Sequence, residues 1–152
     1  MVAALARIRL DEGAAAEALG LALASHAGLT PLGDLRHVAD SGWIAGRAHL
    51  ALGGVARAAA RFEAAEAEWR QCGQLDARIA ADLALARFAA GDPSAADALD
   101  GWDGPEVAMV RAALDGAPIP DPVPTNHEQR ILAALIRRVV RDRDRGEPRA
   151  AR

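Results

Sequence analysis

The chain has 152 residues and a net charge of −3, and it is 51% hydrophobic but only 3% aromatic. Its length suits one domain burying roughly 68–70% of its unfolded surface. So few large side chains leave close approach between alanine-rich helices as the source of the core, which predicts an all-α fold.

The acidic balance excludes a chain-wide nucleic-acid footprint. The one cysteine, Cys72, excludes an internal disulfide and a cysteine-cluster metal site. No apolar run approaches the ~18 residues of a membrane span. The segment Met1 to Gly13 is too short and too charged for a signal peptide. A cytoplasmic protein with no membrane contact is expected.

In chain order, the pattern predicts helix pairs over 2–12 and 14–27, 35–52 and 55–72, and 75–90 and 93–100. Gly28 to Gly33 and Cys72 to Gln74 are turns between pairs. Asp92-Pro93 reads as a helix start, an acidic N-cap followed by proline in the first turn. Gly101 to Gly104 breaks the pattern. Pro105 then opens a short helix over 105–115, ended by Gly116.

Residues 117–125 form a proline-rich linker, expected to be extended. Thr125 and Glu128 have the spacing of a capping box at the start of a last helix reaching about Arg145. That helix carries a wide apolar stripe of Ile131, Leu132, Leu135, Ile136, Val139 and Val140. The organisation is therefore repeats over 1–116, a linker over 117–125 and an amphipathic helix with basic tail over 126–152. The two ends carry opposite charge. Residues 1–116 hold ten Arg and sixteen acids, or −6; residues 117–152 hold eight Arg and five acids, or +3.

Three segments superpose without gaps: Ala6 to Gly13, Gly46 to Gly53 and Ala84 to Gly91. Each begins with a small residue, carries Leu or Phe four places on and stops at a glycine suited to a helix C-terminus. Alanine follows five residues later, as Ala18, Ala58 and Ala96. The glycines are 40 and 38 residues apart. A period near 40 predicts a helical-hairpin solenoid of about three repeats. In the central pair, Gly46 faces Ala58 and Ala65 where the two backbones approach, and Phe62 lies one turn from each alanine and fills the space left.

This pattern resembles the tetratricopeptide repeat. In its period and its Ala/Arg/Leu-rich style it is most similar to the helical repeats of actinobacterial LuxR-type transcriptional regulators, where such repeats act as sensor or docking domains. The absence of an N-cap at Met1 favours a piece of such a regulator over a free-standing protein. The resemblance implies a groove lined by the first helices of successive repeats. Aligned positions place Arg7 and Arg47 along it, with Asp40 and Trp43 one to two turns before Arg47 and Arg78 equivalent to Asp40 in the third repeat. Leu85 replaces the arginine there. The family's carboxylate clamp uses Lys and Asn, which this chain lacks at those positions, so a chaperone tail is not the implied ligand. A protein or peptide partner is.

Other candidates are weaker. His37 and Asp40 share a helix face, but no third ligand joins them, so no metal is expected. Cys72 ends a helix, where a thiol gains no activation. Trp69 and Trp102 read as plugs between repeats, and Trp43 as core. No phosphate loop, nucleophile elbow or Glu-x-x-His pair is present, so neither enzyme nor cofactor is expected. The arginines from Arg137 to Arg152 alternate with acids, which argues against nucleic acid as a partner. A transcriptional regulator component using that helix on nucleic acid is the alternative function. A linker of nine residues outreaches what a simple cap needs. The last helix is therefore expected either to return across the repeats or to exchange with a second copy, giving a homodimer through residues 126–145; an ordinary cap reached by a loose linker is the alternative.

Overall fold

A computed structural model of the chain describes residues 1–119 and 126–146. Among these the structure is all-α: α1 (Val2–Asp11), α2 (Ala15–Leu29), α3 (Leu35–Ala51), α4 (Val55–Gln71), α5 (Ala77–Ala89), α6 (Pro105–Leu114) and α7 (His127–Asp144), with 3-10 turns at Thr30–Leu32 and Ala95–Leu99. No helix among them is long and apolar enough to cross a membrane.

Consecutive helices pack from α1 to α5, and α5 packs against the second 3-10 turn and α6. The tightest approach lies between α3 and α4. A β-carbon at Gly46 would stand 2.5 Å from Cε1 of Phe62, so only glycine lets that ring lie flat against the α3 backbone. Ala58, Phe62 and Ala65 are fully buried and Leu50 nearly so. At the end of α3, Gly53 takes the left-handed conformation at φ 83°. Its N–H bonds to Leu50 O at 3.1 Å and that of Gly54 to His49 O at 2.8 Å. The same pair of bonds closes the ends of α1 and α5 at Gly13 and Gly91, and equally those of α4 and α6 at Gly73 and Gly116, so it is a common helix ending.

The third pair departs from expectation. The segment 93–100 is not an α-helix but the 3-10 turn Ala95–Leu99. Asp92 Oδ1 accepts from the Ser94 N–H at 2.8 Å and its hydroxyl at 2.7 Å, closing a local turn. Asp100 then leaves in an extended conformation. Five residues are too few to propagate an α-helix. Ala95, not Ala96, is the buried alanine.

The start of α7 also differs. Its N-cap is Asn126, whose side chain accepts from the Gln129 N–H at 2.8 Å. Glu128 turns away from the cap and into the array. Thr125 and the linker residues 120–124 lie outside the described residues.

α7 neither extends the stack nor leaves it. It runs back across α1, α3, α5 and α6 of its own chain. Ile131, Leu132, Leu135, Ile136 and Val139 are buried there, and Val140 is half-buried. Full burial of such side chains contributes about 1.5–3 kcal/mol each, enough to hold an 18-residue helix that would be marginal alone.

Candidate functional site

α1, α3 and α5 lie side by side, and each sends charged groups to one centre. Asp40, Trp43 and Arg47 are spaced by three and four residues, so α3 presents them on one face. α1 supplies Arg7, α5 supplies Arg78 and Asp82, and the first turn of α7 supplies Glu128.

Trp43 is the hub. It is 1% exposed, and three guanidinium carbons approach its ring: Arg47 at 4.4 Å, Arg78 at 5.2 Å and Arg7 at 5.7 Å from the centroid. The electron-rich ring face attracts each cation. Trp69 meets it edge-on, centroids 5.6 Å apart and planes at 62°, a favoured aromatic geometry.

Beneath the ring lies a buried ion pair. Arg47 is 1% exposed and Asp82 0%. The Arg47 Nε–H donates to Asp82 Oδ2 at 2.7 Å, and the Trp43 indole N–H donates to the same oxygen. Burial pushes the Asp82 carboxyl up, against the pull of the Arg47 charge and of these hydrogen bonds. The Glu128 charge adds to the upward push, while the Arg47 and Trp43 donors oppose it.

The other two arginines have carboxylates of their own. Arg7 NH2 pairs with Asp40 Oδ1. Arg78 Nε donates to both oxygens of Asp76, each at 3.0 Å. Burial raises the Asp76 carboxyl, but the hydrogen bonds and charge of Arg78 outweigh it and leave the group below its usual value. Glu128 is a fourth acid. Its Oε2 accepts from Arg47 NH1 at 2.5 Å, and its Oε1 faces Arg7 Nε at 3.2 Å.

Above this floor opens a cleft of about 520 Å³, lined by Arg7, Arg36, His37, Asp40, Asp76 and Arg78, with Glu128 at one side. Both signs of charge reach it. The five residues expected along the groove therefore come together, but not as equals. Arg7, Asp40 and Arg78 line the cleft together with Trp69, whereas Trp43 and Arg47 are buried behind them and do not line it. The charge match expected of α7 is only partly as the net charges imply. At the edge, Arg130 NH2 and His127 Nδ1 do reach Asp11 of α1, at 3.2 and 3.1 Å. The Arg130 hydrogen bond is the main cause holding the Asp11 carboxyl below its usual value. At the centre the polarity is reversed, with an acid of α7 entering a basic floor.

Asp76, Asp82 and Glu128 are not evident as site residues from the pattern. Asp82 carried a signal: it is an acid inside the apolar run Ile79 to Ala86, where a charge needs a buried partner. Glu128 was masked by its cap-like spacing.

Of the remaining candidates, His37 lines the cleft without joining Asp40. His37 Nδ1 pairs with Asp34 at 2.7 Å rather than with Asp40. Cys72 is exposed at the end of α4. Among the described residues no three His, Cys, Asp or Glu side chains are grouped to hold a metal ion. Arg143 stacks 4.1 Å over the Phe88 ring, and Arg138 pairs with Asp142 at 3.3 Å. Comparison with protein-family models, with curated proteins and with solved structures finds nothing that matches this chain.

Proposed function

We propose that the chain is a non-catalytic protein–protein interaction module, a tetratricopeptide-like scaffold or docking domain, that receives its partner at the cleft over Trp43. The carrying observation is the convergence of Arg7, Arg47 and Arg78, from three helices, upon the Trp43 ring, with Asp40 paired to Arg7. The floor is internally neutralised and rigid. The rim offers both charges, which suits the polar edge of a protein surface and sets specificity and association rate.

Affinity capture with Asp40→Ser/Arg78→Ser tests it. Both side chains are part-exposed, so the variant should keep the helical circular dichroism of the wild type. A partner captured by the wild type should be lost by the variant. Equal capture by a folded variant overturns the assignment of the cleft. Substituting Arg47 would not serve, because its buried partner Asp82 would be left unpaired.

A nucleic-acid role for α7 rests on its exposed Arg137 and Arg141. It requires a duplex band shift at 50 mM salt that weakens steeply towards 200 mM, by about a thousandfold or more if six phosphates are contacted. No shift at low salt removes it. Exchange of α7 between two copies would give a homodimer through residues 126–145, which sedimentation of the full chain distinguishes from a self-contained monomer.

A further inference from the structure

The groove over α1, α3 and α5 already holds a helix, and the way it is held points to what else fits. Glu128 lies in the first turn of α7. From it, Ile131, Leu132, Leu135, Ile136 and Val139 follow at steps of three, four, seven, eight and eleven residues, and all five are buried. One acid followed by this spacing is a single stripe of an amphipathic helix.

The three central arginines do not depend on that helix for a carboxylate, although Asp11 of α1 takes its partners from it. Arg7 has Asp40, Arg47 has Asp82 and Arg78 has Asp76. Withdrawing Glu128 leaves three arginines and three aspartates, each cation still paired within α1 to α5. The penalty of a buried unpaired charge, which locks most buried ion pairs in place, does not arise. What remains is the Arg47 NH1 donor directed at one vacated carboxylate position, with the Arg7 guanidinium beside it as a charge rather than a hydrogen-bond donor. α7 is also capped by its own Asn126, which accepts from the Gln129 N–H; its first turn meets the array through Glu128 at Arg47 and through His127 and Arg130 at Asp11. Beyond Glu128 the cleft is lined by Arg36, His37, Asp76 and Arg78.

We propose that this groove is the docking site of an amphipathic partner helix bearing a carboxylate in its first turn, and that α7 is the resident occupant which the partner displaces. The proposal rests on the interaction-module reading and names the partner's chemistry: Glu or Asp at one position, then Ile, Leu or Val three, four, seven, eight and eleven residues later. α7 competes intramolecularly, at an effective concentration in the millimolar range typical of short tethers. The intact chain therefore binds weakly until the partner outcompetes α7.

The test uses a fluorescein-labelled peptide of residues 126–146, titrated by anisotropy into the full chain and into full-length Glu128→Gln. The variant weakens the resident helix by one charge-assisted hydrogen bond. The native peptide should bind the variant about tenfold tighter than the wild type. A peptide itself carrying Glu128→Gln should bind it more weakly than the native peptide. Equal affinity of the native peptide for both chains, or binding to neither, overturns the proposal. Hydrogen exchange of the wild type gives a second measure: α7 amides should exchange well before those of α3. Equal protection of the two helices also overturns it. If the peptide fails while Asp40→Ser/Arg78→Ser still abolishes capture, the cleft remains an interaction site and only the displaceable helix is lost.

Discussion

Removing Asp82 should damage the fold heavily, because it is the buried partner of a buried guanidinium. Asp82→Ala deletes the acceptor of a guanidinium that is 1% exposed and of an indole N–H on a ring equally buried. Arg47 would keep Glu128 on NH1 but lose the partner of its Nε edge. Breaking a buried pair from one side costs about 3–5 kcal/mol, because a buried charge is left uncompensated. In a chain of this size about 2–4 °C of Tm accompanies each kcal/mol, so the loss should be roughly 6–20 °C. Urea unfolding followed by helical circular dichroism gives the free energy directly. Asp82→Leu combined with Arg47→Met removes both charges and keeps volume, and should restore most of the lost stability. A single variant that unfolds within about 1 kcal/mol of wild type would refute the argument, since the pair would then not be dry.

Gly46→Ala should destabilise by about 1–3 kcal/mol through overpacking against Phe62, and Gly46→Ala/Phe62→Leu should recover part of it; a single variant that melts like wild type means that α3 and α4 can part freely. Acid should act through His49, whose pKa is lowered first by burial and then by Arg61 and Arg57. With the folded value below the unfolded 6.5, the neutral form stabilises the fold above pH 6.5, and that contribution is lost as pH falls further. His49→Gln should reduce the loss of stability between pH 7 and 5 relative to wild type, and parallel pH curves for the two proteins would refute the assignment.

The all-α fold was readable because it rests on local rules: alanine content, glycine at helix ends and small residues where α3 meets α4. Alignment of the three glycine-ended segments predicts neighbouring helices for Arg7, Asp40, Trp43, Arg47 and Arg78, and the structure places the three arginines around the Trp43 ring, with Asp40 paired to Arg7. What could not be read is what each arginine faces. Asp82 and Asp76 belong to α5, and their role depends on how α5 is rotated against α3, which no local pattern encodes. Glu128 was misread because its spacing suits a cap, and the competing partner, Arg47, is 81 residues away. The segment 93–100 was misread because a proline and an N-cap acid start a helix, while its length is decided by the glycines that follow.

The return of α7 also orders the folding reaction. From α1 to α6 nearly every contact joins neighbours in sequence, so that part closes only short loops and should form quickly. The links made by α7 are of another kind: Glu128 to Arg47 spans 81 residues and Arg130 to Asp11 spans 119. Their closure entropy falls due only once the array exists to receive them. α7 should therefore dock after the rate-limiting step. Leu135→Ala, buried on α7, should speed unfolding in stopped-flow urea jumps and leave the refolding rate almost unchanged. A matching fall in the refolding rate would place α7 in the nucleus. The helix that joins the two ends of the array is, on this argument, the last to arrive and the first to leave.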